Sequence, residues 1–132
     1  MPTIDPVLAF GQHLLTGLAF LTTFVFIYLW VTPHKEVALI RGGNGAAAVG
    51  LMGAIIGFSI ALAKAIEVST ALYEAAIWAA IALIAQIGAQ FIAQLAFPKL
   101  YKAIEDNNWA AGIVKAGTAI AIGLVNAACM TP

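Results

Sequence analysis

Residues 46–63 read AAAVGLMGAIIGFSIALA, a run with no charged side chain. A helix of about 20 apolar residues crosses the roughly 30 Å of hydrocarbon in a bilayer. Three further, predominantly apolar runs occupy residues 7–32, 75–97 and 110–130. The sequence therefore predicts an all-α membrane protein with four transmembrane helices, in which residues 1–132 form a single domain in the lipid bilayer.

The composition excludes other classes. With 63% hydrophobic and 9% charged residues, the chain has too few polar side chains to coat a water-soluble core. Six basic residues balance six acidic ones and are scattered, so we expect no nucleic-acid partner. The single cysteine, Cys129, has no partner for an internal disulfide, and we interpret it as a small apolar group near the end of the last helix.

The charges in the loops predict the orientation. The two loops on one side carry four basic residues and one histidine: Lys35, Arg41, Lys99, Lys102 and His34. The opposite side carries three acids and one lysine: Asp5, Glu67, Glu74 and Lys64. The positive-inside rule then places both basic loops in the cytoplasm and both termini outside it.

An internal repeat relates the two halves. Residues 40–48, IRGGNGAAA, align with residues 104–112, IEDNNWAAG, 64 positions later. Each half, about 7–67 and about 72–131, is predicted to be a helical hairpin. Because each half has an even number of spans, the two tandem copies have the same orientation and form a parallel repeat.

A short amphipathic segment follows the first span of each half. Pro33 and Pro98 end the preceding helices because proline lacks an amide donor. We interpret the segments as interfacial half-helices. Their predicted lipid-facing residues are Val37, Ile40, Leu100 and Ile104. Their predicted water-facing residues are Lys35, Glu36, Arg41, Lys99, Lys102 and Glu105.

Asn44 and Asn108 precede the second span of each half. Their side-chain oxygens can accept from amides left free in a first helical turn, so we predict that both are helix caps. The alternative is an asparagine pair that binds a ligand at the cytoplasmic face.

Small residues distinguish the second and fourth spans from the others. Because close packing drives helix association in lipid, these two spans are predicted to form the centre of the bundle. The predicted packing positions are Gly50, Gly53, Gly57, Gly117 and Ala121. Large aromatic residues of the first and third spans are predicted to face lipid or the interfaces: Phe20, Phe24, Phe26, Tyr28, Trp30, Trp78 and Phe91.

Five polar side chains inside the third and fourth predicted spans are candidates for a site. Gln86, Gln90 and Gln94 recur every fourth residue and form one stripe, which is either a set of interhelical hydrogen bonds or a pore lining. Lys115 lies about 9 Å from the nearer end of the fourth span and either snorkels to the surface or serves a function. Asn126 is either a structural hydrogen-bonding group or part of a site.

Motifs of catalysis are absent from the sequence. His13 and His34 have no acidic residue at the spacing of a metal site, and neither a nucleophile elbow nor a phosphate-binding loop occurs. We therefore predict no enzymatic activity and no catalytic, cofactor or metal residues.

The chain resembles the YjfL family of small bacterial inner-membrane proteins, known as domain of unknown function three hundred and fifty. The resemblance rests on residues 32–36 (TPHKE), the Asn-x-Ala-Ala start of the second span, residues 108–112 (NWAAG) and residues 126–131 (NAACMT). It implies the bacterial inner membrane, four spans and no transferable catalytic residue. The proteins that are typically encoded near members of this family imply an envelope-stress or polyamine-linked role.

Two function classes follow. The first, which we favour, is a non-enzymatic membrane component that assembles as a homo-oligomer through its glycine-rich helices and recruits other membrane or cytoplasmic envelope-stress proteins at its cytoplasmic loops. The second is a small homo-oligomeric channel or transporter lined by the glutamine stripe and Lys115. A pore needs a continuous wet path, whereas assembly needs only the small-residue faces.

Overall fold

A computed structural model describes residues 5–32 and 35–131. Six helices lie in this part of the chain: α1 (Asp5–Val31), α2 (Glu36–Arg41), α3 (Gly45–Val68), α4 (Leu72–Ala96), α5 (Leu100–Glu105) and α6 (Trp109–Cys129). Helices α1, α3, α4 and α6 are long and apolar enough to cross a membrane, and they match the four predicted runs. The predicted all-helical class is therefore confirmed.

The helix ends differ modestly from the predicted spans. Helix α3 continues to Val68, through a charged turn in which Lys64 Nζ lies 4.0 Å from Glu67 Oε1. The helix can continue past its apolar run because, outside the hydrocarbon, the free backbone groups at its end form hydrogen bonds with water. Helix α4 ends at Ala96, two residues before Pro98. The corresponding Pro33 lies outside the described residues.

The order long helix, six-residue helix, asparagine, long helix occurs twice in the described ranges. Two residues after the end of each six-residue helix lies a residue in the left-handed region, Gly43 with φ 90° and Asn107 with φ 60°. The amides that follow them, of Asn44 and Asn108, donate to carbonyls five residues earlier at 2.9 Å. This reversal turns the chain sharply from the short helix into the next long one.

Helices α3 and α6 form the centre of the bundle and cross at very short distance. A Cβ on Gly53 would collide with the backbone of Ala116, and one on Gly57 with the carbonyl of Ala119. Gly112 lies in the same way against the backbone of α3. These glycines allow the two backbones to touch, which maximises packing between helices in lipid.

Two of the predicted packing positions lie away from this contact. A Cβ on Gly117 would have no neighbour within 4 Å, and both Gly117 and Ala121 lie on the exposed side of α6. The face of α6 that meets α3 carries Gly112, Ala116, Ala119 and Gly123 instead. The direction of the helix face decides this choice, because every face of the fourth span contains small residues.

The aromatic residues of α1 do not all face outward. Phe24 is buried and stacks on Phe58 of α3, with ring centroids 4.2 Å apart. Tyr28 is 0% exposed, so its predicted interfacial position is wrong. Phe26 and Trp30 are exposed, as predicted. The inner face of α1 therefore supplies two aromatic rings to the core.

The two short helices attach to the bundle differently. Leu100 and Ile104 of α5 are buried against α3 and α6 rather than facing lipid, which corrects their predicted orientation. In α2, Val37 is exposed as predicted and Ile40 is partly buried. Glu36, predicted to face water, is buried. The buried Glu36 is the starting point of the candidate functional site.

Candidate functional site

Two opposite charges meet inside the bundle. Lys115 Nζ of α6 donates to Glu36 Oε1 of α2 and forms an ion pair with it. Lys115 is 3% exposed and Glu36 2% exposed, so water is excluded from both. Burial of two charges is costly unless they are paired and hydrogen-bonded, and ionisable residues inside membrane helices are commonly functional.

Two tyrosine rings flank the ammonium group. Lys115 Nζ lies 5.3 Å from the ring centroid of Tyr28 and 5.8 Å from that of Tyr101. Both distances are within the range of cation–π attraction, which grows when the cation is desolvated. The rings therefore add negative electrostatic potential at the ammonium group.

A hydrogen-bond network continues from this centre into α4. The Tyr101 hydroxyl donates to Gln90 Oε1 at 3.1 Å, and the Thr32 hydroxyl approaches the same oxygen at 3.4 Å. Burial, and second the negative charge of Glu36, raise the pKa of Tyr101 above the ordinary value of a phenol. Tyr101 consequently keeps its proton and acts as a donor.

Helix α3 makes room for the lysine side chain. A Cβ on Gly50 would lie 3.1 Å from Lys115 Cδ, so glycine leaves the space through which the aliphatic stem passes. Each of the six helices contributes one residue to this region. We call the group the charged centre; it consists of Tyr28 (α1), Glu36 (α2), Gly50 (α3), Gln90 (α4), Tyr101 (α5) and Lys115 (α6).

The glutamine stripe points into the chain at two of its three positions. Gln86 is 0% exposed and its Nε2 donates to the carbonyl of Ala119 at 3.0 Å. Gln90 belongs to the charged centre. Gln94 is only partly buried and donates to the carbonyl of Pro98 at 2.6 Å. The stripe thus joins α4 to α5 and α6 within one chain.

Some buried polar atoms have no hydrogen-bond partner among the described residues. They include the Tyr28 hydroxyl, Gln86 Oε1, Gln94 Oε1 and Asn126 Nδ2. Asn126 follows Lys115 by 11 residues on α6, about 16 Å along the helix axis. Of the predicted polar set, the structure therefore unites Gln90 and Lys115.

The two capping asparagines lie at the helix N-termini. Asn44 Oδ1 accepts from the amide of Ala47 at 2.9 Å, and its Nδ2 donates to the carbonyl of Ile104 at 2.8 Å. Asn108 Oδ1 accepts from the amide of Ala110 at 3.0 Å. Asn44 therefore caps α3 and ties it to the end of α5, so both of its polar atoms are engaged inside the chain.

Sequence reasoning missed Glu36, Tyr28 and Tyr101 as parts of a site. Lys115 was identified, but its partner lies 79 residues away on a six-residue helix whose pattern favours a water-facing acid. The usable signal was the lysine itself, because a cation deep in an apolar helix needs a counter-charge. Snorkelling of Lys115 to the surface is excluded by its burial.

The chemistry open to the charged centre is proton exchange and charge pairing. Among residues 5–32 and 35–131, no three histidine, cysteine, aspartate or glutamate side chains are placed to hold a metal ion. The centre combines a carboxylate, an ammonium and phenols, all of which bind or release protons.

The model of the family described as Domain of Unknown Function (DUF350) matches residues 2–130. The chain belongs to this family. It is 36% identical, over 99% of each chain, to UPF0719 inner membrane protein YjfL of Escherichia coli strain K12, and equally to the protein of the same name from Escherichia coli O157:H7. No solved structure matches it significantly. The resemblance seen in the sequence is confirmed, and neither relative's name states an activity.

Proposed function

We propose that this chain is a non-enzymatic, multi-pass component of the bacterial inner membrane that acts by assembly, with both termini in the periplasm. The observation that carries the proposal is the engagement of Gln86, Gln90 and Lys115 in contacts within one chain. Polar side chains held by their own subunit stabilise a packed bundle and are withdrawn from any water-filled axis. This arrangement favours assembly over the channel or transporter alternative.

The proposal includes a parallel duplication of one helical hairpin. Gly43 and Asn107, 64 positions apart, both adopt positive φ, and the asparagines that follow them both cap a long helix. Helices α3 and α6 also meet with their N-terminal ends together, since Gly45 lies against Trp109. Two hairpins of the same orientation would place their second helices side by side in this way.

Homo-oligomerisation is supported by the outer face of α6. Gly117 and Ala121, four residues apart, are exposed there. Ile113 and Leu124 are exposed on the same helix. Small residues one turn apart allow a second helix to approach closely, and large ones beside them add packing area. We propose that a second copy of the chain packs on this face.

Partner recruitment is supported by the charge of the short helices. Burial of Glu36 removes the acidic residue of α2 from the surface and leaves Lys35 and Arg41 exposed around Val37. Such a cationic and apolar surface suits an acidic protein partner or anionic lipid. We propose that it contacts partners of an envelope-stress or polyamine-linked system on the cytoplasmic side.

Mass measurement and flux measurement together test this function. Light scattering of the purified protein in mild detergent should give a protein mass that is a multiple of the 13.7 kDa mass of one chain. Gly117→Leu should reduce that mass, whereas Gly88→Leu, at an open position on α4, should leave it unchanged. Liposomes that contain the protein should show no ion or solute flux. Conductance from the wild-type protein, abolished by substitutions of the glutamine stripe in an intact oligomer, would establish the channel instead.

A further inference from the structure

We propose that Glu36 and Lys115 form a proton-binding site that holds α2 against the bundle, and that proton uptake by Glu36 releases α2. The ligand of this site is a proton from the side of the membrane on which α2 lies. The inference concerns the charged centre of a single chain and does not depend on the oligomer or partners proposed above.

The attachment of α2 depends on the charge pair. Glu36 is the one buried residue among the six of α2, whereas α5 buries Leu100 and Ile104. Helix α5 is therefore held mainly by fully buried apolar side chains, whose contacts do not change with pH. In α2 the apolar side chains that pack on the core, Leu39 and Ile40, are only partly buried, and the buried contact is the ion pair, which protonation of the carboxylate abolishes.

Apolar residues stand 64 positions away from each member of the pair. Leu100 lies 64 positions after Glu36, and Leu51 lies 64 positions before Lys115. Both leucines are buried, so a short helix and a long helix of this fold accept apolar side chains at the related positions. Because well-packed apolar residues often equal or exceed a buried ion pair in stability, packing alone does not account for the charges.

The groups around the pair are suited to proton exchange. Among residues 5–32 and 35–131, the ionisable side chains at this pair include Tyr28 of α1 and Tyr101 of α5, which lie beside the Lys115 ammonium group and experience the negative charge of Glu36. The positions contributed by α3 and α4, Gly50 and Gln90, do not ionise.

One polar atom beside the pair is available for a new hydrogen bond. The Tyr28 hydroxyl is buried and has no hydrogen-bond partner within the described ranges. It can bond to water that enters when the pair separates. Lys35, next to Glu36 in the chain, is exposed, and His34 lies outside the described residues.

The proposed step moves one proton. The Glu36 carboxylate gains a proton and becomes a neutral carboxylic acid, and no covalent bond other than the new O–H bond changes. Lys115 remains an ammonium group and loses its counter-charge. An unpaired charge in the dry interior is strongly unfavourable, so water must enter and α2 must move away from α6.

A nitroxide label on α2 tests the proposal. Ala38→Cys in a Cys129→Ser background places the label on the exposed side of α2, and Lys102→Cys, 64 positions later, places a matched label on the exposed side of α5. The full-length protein is reconstituted in lipid nanodiscs. Electron paramagnetic resonance then reports label mobility between about pH 8 and about pH 2.5, a range that extends well below the ordinary glutamate pKa of about 4.3 because the neighbouring ammonium group favours the ionised carboxylate.

We expect the α2 label to become mobile on acidification and the α5 label to stay unchanged. The double variant Glu36→Leu with Lys115→Leu should lose this pH dependence and keep α2 immobile, because it leaves no buried charge at the contact. Equal responses of the two labels in the wild-type background would overturn the proposal, whatever the double variant does.

A further variant separates Glu36 from the neighbouring histidine. His34→Gln should retain the response of the α2 label, because the charge pair remains intact. Loss of the response in His34→Gln would assign the titration to His34 and overturn the proposal. Persistence of the response in the double leucine variant would overturn it as well.

Discussion

The side chain of Gln86 donates to the carbonyl oxygen of Ala119 at 3.0 Å and so joins α4 to α6. Gly57 of α3 lies against the same carbonyl, and its missing side chain leaves the space in which the Gln86 amide reaches that oxygen. One glycine thus permits both the close crossing of α3 with α6 and the hydrogen bond from α4. Three of the four long helices meet at this point.

Substitution of Gly57 by leucine should destabilise the bundle. The added side chain would collide with Ala119 and displace Gln86, and such overpacking costs about 1–3 kcal/mol or more. Thermal unfolding in mild detergent, followed by circular dichroism, measures the loss. Gly88→Leu is the control, because nothing lies within 4 Å of a Cβ at that position. Equal stability of the two variants would contradict the close crossing.

Removal of one member of the charge pair should cost more than removal of both. Lys115→Met leaves the Glu36 carboxylate buried without its cation, at a cost of about 3–5 kcal/mol. The double variant Glu36→Leu with Lys115→Met should recover most of that loss, because no buried charge remains. Chemical denaturation in detergent of the wild type, both single variants and the double variant gives the coupling free energy. Additive effects would show that the two side chains do not interact.

Replacement of Gln86 by leucine should lower stability by about 0.6–2 kcal/mol through loss of the hydrogen bond to Ala119. Gln94→Leu should have a smaller effect because Gln94 is partly exposed and its bond to Pro98 is local, four residues along the chain. Thermal unfolding distinguishes the two. The opposite ranking would mean that Gln94, rather than Gln86, links the helices.

Labelling should place both termini on the periplasmic side. In a Cys129→Ser background, a cysteine introduced at Thr3, outside the described residues, should react with a membrane-impermeant maleimide in cells with a permeable outer membrane. A cysteine introduced at Lys102, which is exposed, should react only after the inner membrane is permeabilised. The reverse pattern would invert the proposed orientation.

The sequence predicted well those features that depend on neighbours along the chain. The four apolar runs became the four long helices, because a backbone in hydrocarbon must satisfy its own hydrogen bonds and a helix does so locally. The α4 terminus near Pro98 and the positions of Asn44 and Asn108 before α3 and α6 also follow from local chemistry. None of these features requires knowledge of how the helices pack.

The tertiary structure alone decided which face of each helix is inside. Gly53 packs and Gly117 does not, although both are glycines in apolar helices, because the rotation of α6 about its axis depends on all its partners together. Glu36 and Lys115, 79 residues apart, become a pair only in the folded bundle, where α2 packs on α3 and its carboxylate reaches α6. Local sequence determines that a helix spans the bilayer, whereas long-range packing determines which of its polar groups leave water and what they meet.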